Sequence, residues 1–329
     1  MAEALARGLA VGSVVADLEL TRAWLVDPVS GLEGPGELVV RDGILEAVTW
    51  LEGDDADGIE PHGLVATGLG LKGWPAAAEV TAVARDLAVL GDVRRDVPAA
   101  RLHLTHLSTA AALDLVRSAK AAGLPVTCDV TPHHLGLTDE WIAGARRWAW
   151  EADGPGDAWR SHAIVAEPYD PSCRVNPPLR PPSDALACLA ALLDGTADAV
   201  ATDHAPHTQV DKEVEFGLAA NGMSGIETAI GILLAAVDAG RLPLAAAIAA
   251  LTTGPASVLG ERIGHPLGLV EGALADLVVF DRRARWMVEA STLRSKGRNT
   301  PLLGSELPGR VLLTIAGGRL AHVADDLEA

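Results

Sequence analysis

The sequence is short of basic side chains, of paired cysteines and of long apolar runs. It carries 26 Lys and Arg against 44 Asp and Glu, a formal net charge of −18. That deficit argues against a nucleic-acid or anionic-membrane partner, because both select a positive surface. It says little about a small substrate, which responds to the local field. The three cysteines, Cys128, Cys173 and Cys188, have no paired spacing and read as reduced thiols of a cytoplasmic protein. No basic region followed by an apolar run opens the chain, so no signal peptide is expected. No apolar run reaches membrane-spanning length. Asp238 and Arg241 separate residues 230–237 from 242–251, and Pro243 interrupts the second run. There is no internal repeat and no low-complexity tract. The glycines between Gly68 and Gly73 lack the Lys-Ser/Thr of a phosphate loop and read as a turn.

What is present suits an α/β fold. The 329 residues are 49% hydrophobic, enough for one large or two ordinary domains, and the Ala, Leu and Val content fits helix-on-sheet layers. Residues 1–16 have little pattern and are expected to be poorly ordered. Residues 18–26 alternate like a half-buried strand, and 37–41, Asp42-Gly43 and 44–48 form a strand–turn–strand signal. Residues 51–63 are acidic, Gly-rich loop. Pro75 opens a helix over 76–90, with Val80, Val83, Ala84, Leu87 and Leu90 on one face. Further helices are expected over 110–122, from Thr138, over 185–193, 227–239 and 244–251. Strands are expected over 276–280, 311–315 and 319–323, the last two forming a hairpin across Gly317-Gly318. Residues 144–172 hold Trp148, Trp150 and Trp159 among Gly, Pro and Asp, and read as an adaptable surface loop, a contact patch or a lid.

The chemistry concentrates between Arg101 and His207. Four short apolar segments lie there, separated by helical stretches. Three lead into metal-ligand side chains: His106 after Leu102-His103-Leu104-Thr105, His133 after Cys128-Asp129-Val130-Thr131-Pro132, and Asp203 after Val200-Ala201-Thr202. The fourth, Cys173-Arg174-Val175-Asn176, runs into Pro177-Pro178. Repeated strand, polar tip and helix is how parallel α/β barrels carry chemistry at the C-terminal ends of their strands. Two imidazoles on adjacent tips and a carboxylate beyond them can share a Zn²⁺ ion, and the carboxylate can take a proton from its bound water. The plainer alternatives are capping or core histidines and an Asp that starts a turn. Asn176 can hydrogen-bond an amide-like ring, with Arg180 near the same face; the alternative is a Pro-rich turn with a surface Arg. His134 and Cys128 read as packed, and His103 as structural.

These residues give the chain a resemblance to the dihydroorotase family of the amidohydrolase superfamily. It rests on His106-Leu107-Ser108-Thr109, on Val130-Thr131-Pro132-His133-His134-Leu135, on Asn176-Pro177-Pro178-Leu179-Arg180 and on Ala201-Thr202-Asp203-His204-Ala205-Pro206-His207. Gly225-Ile226-Glu227-Thr228-Ala229, Arg298-Asn299-Thr300-Pro301, Gly309-Arg310-Val311 and Gly317-Gly318 add to it. The resemblance implies a metal-dependent (β/α) barrel of the TIM type over residues 67–269, plus a small β-sandwich composed of 17–66 and 270–325. It implies zinc and the reversible cyclisation of N-carbamoyl-L-aspartate to dihydroorotate in pyrimidine biosynthesis. By the same resemblance His106, His133 and Asp203 bind metal, Asp203 shuttles the proton, and Asn176 and His207 contact the substrate.

One departure is large. The family's His-x-His pair with its following Arg belongs after Gly63-Leu64-Val65-Ala66, but here Thr67-Gly68 runs directly into Leu69-Gly70-Leu71-Lys72-Gly73-Trp74. About a hundred residues, judged from ordinary barrel size, are absent at that junction, so the barrel is expected to be incomplete with about four strands retained. One zinc site is then expected, the second losing its ligands. Arg174, Arg180 or a partner would have to replace the substrate-carboxylate Arg. The alternatives are a catalytically inactive homologue that serves as a structural or regulatory partner, for example of aspartate transcarbamoylase, an internally deleted chain that folds poorly, or a homodimer that assembles a working site. A hydantoinase or allantoinase activity is the remaining enzymatic alternative.

Overall fold

The computed structural model describes the backbone of residues 18–27, 32–41 and 44–50, and backbone and side chains of residues 64–152, 163–260 and 275–324, with isolated positions between 269 and 273. The chain divides into two units, residues 1–58 and 59–329. The 1–16 leader, the Asp42-Gly43 turn and the acidic 51–63 loop lie outside the described residues.

The first unit is an antiparallel sheet in the order β1 (Leu18–Asp27), β2 (Leu32–Arg41), β3 (Ile44–Trp50). Arg41 pairs with Ile44, the register of a two-residue hairpin connection. β2 begins five residues earlier than the alternation predicts. Pro35 pairs with Trp24 of β1 but lies past Gly36, where pairing with β3 stops, so its missing N–H interrupts no central ladder.

The second unit is built on a parallel sheet, β4 (Leu102–Leu104), β5 (Val126–Val130) and β6 (Ala199–Val200), in sequence order. Helices Ala76–Asp96, Ala110–Ala121 and Pro182–Asp194 precede or connect these strands, and Ala229–Asp238 and Leu244–Leu251 follow them. β5 is the middle strand, and Val126, Cys128 and Val130 bury on it among Leu113, Val116, Leu189, Leu233 and Ala250 from the helices. A second cluster, with Leu137, Trp141, Val175, Leu179, Phe216 and Leu307, fills the space beyond the strand tips. The unit closes with the antiparallel sheet β7 (Leu277–Met287), β8 (Glu306–Ala316), β9 (Arg319–Val323).

Several expectations are corrected. Cys173 to Asn176 is not a strand: Pro171–Cys173 is one 3₁₀ turn and the chain then loops. Pro171, Pro177 and Pro178 bracket it and withhold the N–H groups a ladder needs. The described parallel sheet therefore has three strands, not four. Residues 64–69 form a short helix through Thr67-Gly68, and the turn comes at Gly70, whose φ of 70° is left-handed. The helix after Pro75 runs to Asp96, the Thr138 helix is a single 3₁₀ turn, and β7 passes through Asp281 to Met287. There Asp281 accepts from the backbone N–H of Arg283 and Ala284 at an irregularity in the pairing. The Trp-rich segment divides: its start, through Trp148 and Trp150, packs into the core, while residues 163–172 lie at the surface as expected, with Val165 and Tyr169 exposed. Trp150 is buried, Trp148 stacks on it at 5.3 Å and packs against both clusters, and Trp159 lies outside the described residues.

A buried carboxylate ties the helix before β4 to the strand tip. Glu79 accepts from Ser108 N and Thr109 N at 3.0 Å, from Thr109 Oγ1 at 2.9 Å and from the Ser108 hydroxyl. The Arg180 guanidinium lies 3.7 Å from it and donates to Ser108 Oγ and Trp74 O. Replacing Glu79 by Ala strands a buried guanidinium and four donors, so E79A is expected to lose about 3–5 kcal/mol of unfolding free energy in urea titration; a loss below about 1 kcal/mol would contradict this.

Asp139 is almost fully buried beside Glu140, and burial followed by that neighbouring charge pushes its carboxyl up to about 7. The folded state then holds a proton that the unfolded state releases, so stability falls as pH rises from the ordinary carboxylate range to about 7. Asp139→Asn removes this dependence. The Tm of D139N relative to wild type is expected to rise between pH 4.5 and 7.5, and a constant difference would refute it.

Candidate metal and proton-transfer site

The tip of β4 turns sharply at His106, with φ 60°, and the chain after β6 does the same at Asp203, with φ 45°. Among the described residues only Tyr169 is a third non-glycine at positive φ. Such backbone costs on the order of 1 kcal/mol and persists where surrounding structure enforces it, often at functional sites. Here the two strained residues face each other: His106 Nε2 lies 3.6 Å from Asp203 Oδ1. Two donors on one tetrahedral zinc, each about 2.0–2.2 Å from it, stand roughly 3.4 Å apart.

Asp129 on β5 enforces the His106 turn. Its Oδ1 accepts from His106 N at 2.8 Å and from His106 Nδ1 at 3.0 Å, and its Oδ2 accepts from His103 Nε2 and Thr105 Oγ1, both at 2.9 Å. Burial works to raise the Asp129 carboxyl, but the hydrogen bonds from His106 and His103 outweigh it and hold the group below its usual value. Burial likewise works to lower the His106 imidazole, and Asp129 with Asp203 outweighs it and holds the ring above its usual value.

His133 follows β5 in the short helix Pro132–Gly136, capped by Thr131. It is 1% exposed, and its Nε2 is buried with no hydrogen-bond partner among the described residues. Burial, then the charges of His134 and His106, hold its pKa well below the usual value. A neutral ring with a buried nitrogen left without a partner suits a metal ligand. His134 is packed, as expected: Nδ1 meets Thr131 Oγ1 at 2.8 Å, Nε2 meets Pro177 O at 3.0 Å, and burial pushes it down to about 3. The donor chemistry therefore fits zinc, as a close His106–Asp203 pair and a ready His133. Among the described residues, no group of three or more His, Cys, Asp or Glu side chains gathers tightly enough to hold an ion by itself.

The two expected substrate contacts lie on neighbouring loops. Asn176 is exposed, and Gly222 N donates to Arg174 O two residues earlier. His207 Nε2 donates to Asn221 O at 2.8 Å, which leaves Nδ1 as an acceptor. Gly222, at φ 127°, lets these loops meet: a Cβ there would collide with Ala205. Arg180 is not on this face. It is buried on Glu79, and Arg174 is buried and donates to Ala219 O, so neither cation is placed to receive a substrate carboxylate. Cys128 is free and buried, with its thiol pushed up to about 12 by burial, which excludes a nucleophile.

Two residues of the site carried little signal in the sequence. Asp129 stood inside an apolar strand with no motif of its own. Asn299 accepts from His207 N and Ser224 Oγ and donates to Ala205 O and Gly222 O, so its one amide fixes the Asp203–His207 loop. The run Arg298-Asn299-Thr300-Pro301 marked the place but not this role.

The amidohydrolase family model matches residues 81–321. The chain belongs to the amidohydrolase family. It is 45% identical over 268 residues to a protein named dihydroorotase from Anaeromyxobacter dehalogenans, covering 82% of this chain and 55% of that one. A protein of the same name from a Geobacter species is 39% identical, covering 82% and 56%. Among solved structures, the L-hydantoinase (dihydropyrimidinase) from Arthrobacter aurescens superposes with a TM-score of 0.62 at 26% identity, over 76% of this chain and 49% of that one. The dihydropyrimidinase from Brevibacillus agri gives 0.61 at 22%. The parallel sheet and its helices are thus part of an amidohydrolase barrel fold. The chain spans about half the length of the curated relatives it matches.

An orphaned ring in the core is a cost when no metal is bound. His133→Leu is expected to raise the urea unfolding free energy of the metal-free protein by about 1–3 kcal/mol, and to abolish any rise of Tm on adding zinc. A destabilised metal-free H133L would contradict this assignment.

Proposed function

We propose that this chain carries the histidine–aspartate half of a dihydroorotase active site, acting on dihydroorotate and N-carbamoyl-L-aspartate. The observation that supports it is the strained pair His106 and Asp203 at 3.6 Å, on strand tips of an amidohydrolase fold whose relatives are named dihydroorotase.

His106, His133 and Asp203 would hold one zinc ion. When bound, such an ion polarises a ring carbonyl and lowers the pKa of its water. Asp203 accepts a proton from the attacking water and returns it to the leaving ring nitrogen, which opens dihydroorotate; the reverse order closes carbamoyl aspartate. Asn176 offers an exposed amide to the amide-like ring, and His207 Nδ1 accepts a hydrogen bond from it. Arg174 and Arg180 are committed elsewhere, so the substrate carboxylate requires a cation from outside this set. The same reading takes the barrel of 67–269 as incomplete. Its support is the three-stranded parallel sheet and the length of the relatives. It also takes one zinc site as retained and the second as short of ligands, with a second copy or aspartate transcarbamoylase as the assembly partner.

Zinc-loaded protein is expected to hydrolyse dihydroorotate, followed by loss of ultraviolet absorbance, and D203A to lower the rate at least about 100-fold. Background-level hydrolysis that Asp203→Ala leaves unchanged would overturn the proposal.

A further inference from the structure

We propose that Asp129 is the positioning residue of this site: its Oδ1 fixes the backbone and the ring tautomer of His106 together, and so aims the Nε2 lone pair at Asp203. The proposal deepens the metal reading and rests on it only where metal is concerned.

Four donors converge on one carboxylate, two on each oxygen. On Oδ1 the donors are the backbone N–H and ring Nδ1 of the same residue. A carboxylate is a pure acceptor, so Nδ1 must carry hydrogen. In the neutral ring Nε2 is then left with a lone pair, and Nε2 is the atom 3.6 Å from Asp203. The same oxygen holds the His106 N–H, which anchors the left-handed turn that brings the ring round. On the other oxygen, His103 Nε2 and Thr105 Oγ1 complete the shell, and His103 Nδ1 meets Thr127 Oγ1 at 2.8 Å. That second pair stops the carboxylate from rotating. Hydrogen bonds of this kind behind a ligand imidazole commonly change metal affinity 10- to 100-fold.

The test has two arms on the full chain. Ring ¹⁵N NMR of metal-free protein at pH 9 reads the tautomer of neutral His106, assigned with His106→Ala. Wild type is expected in the Nδ1–H form, and Asp129→Asn and Asp129→Ala are expected to lose that preference. Zinc affinity is read by competition with a chromophoric chelator. It is expected to fall 10- to 100-fold in D129N and to recover in part in Asp129→Glu. D129N is used only where its circular dichroism matches wild type, with D129E as the second folded variant. A wild-type ring in the Nε2–H form, or a folded D129N that keeps both tautomer and affinity, would overturn the proposal. Wild-type protein that binds no zinc would count against the metal reading alone, and the tautomer comparison would still decide the role of Asp129.

Discussion

A buried carboxylate at the end of the middle strand is the constraint on which the site depends. Asp129 sits where β5 leaves the sheet, with its side chain 5% exposed. An ionised group there is tolerated only if its lone pairs are filled. The fold fills them from β4 and its tip, so the charge can be kept only if that tip bends back over it. The bend puts His106 in left-handed backbone, and the bend in turn gives the ring its direction. Sequence, strain and chemistry meet in one set of hydrogen bonds.

The second buried carboxylate does for the scaffold what Asp129 does for the site. Glu79, on the helix before β4, caps the turn that begins helix Ala110–Ala121 and neutralises Arg180. Arg180 follows Leu179, which is buried in the outer cluster. Helix, strand tip and Pro-rich loop are thereby fastened at one point. An Arg beside a candidate substrate amide in sequence is drawn inward because an unpaired buried Glu79 would cost more than a surface cation gains.

Much of the frame was legible in the chain. Helix starts came from Pro75, Thr109 and Pro182, and stops from Gly123 and Gly195, because caps and glycine turns are local signals. His106, His133 and Asp203 were legible because polar side chains at the ends of apolar runs stand at strand tips. What stayed hidden was non-local. The partners of Asp129 are 23 to 26 residues away and those of Asn299 between 75 and 94, and nothing in their neighbourhoods announces them. The Cys173–Asn176 segment misled because its apolar residues bury in a loop cluster instead of a ladder. Trp148 and Trp150 misled because tryptophan among Gly and Pro looks exposed, whereas Trp148 bridges two cores.

The same geometry explains how the strand tips stay shaped. His106 after β4 and His133 after β5 are braced from within this chain, the first by Asp129 and the second by burial, so their placement does not wait for a neighbour. The scaffold is less self-contained. Among the described residues β4 pairs only with β5, and on the preceding helix Val89 and Val93 are exposed at four-residue spacing. In a closed barrel that edge and that face are covered by the preceding strand and helix. His106 and Asp129 are therefore fixed by local electrostatics, while the described edge of the sheet and the described face of the helix contribute nothing to that fixing. Preorganisation of a side chain and its desolvation are distinct requirements, and for His106 the first is met by hydrogen bonds to a single strand.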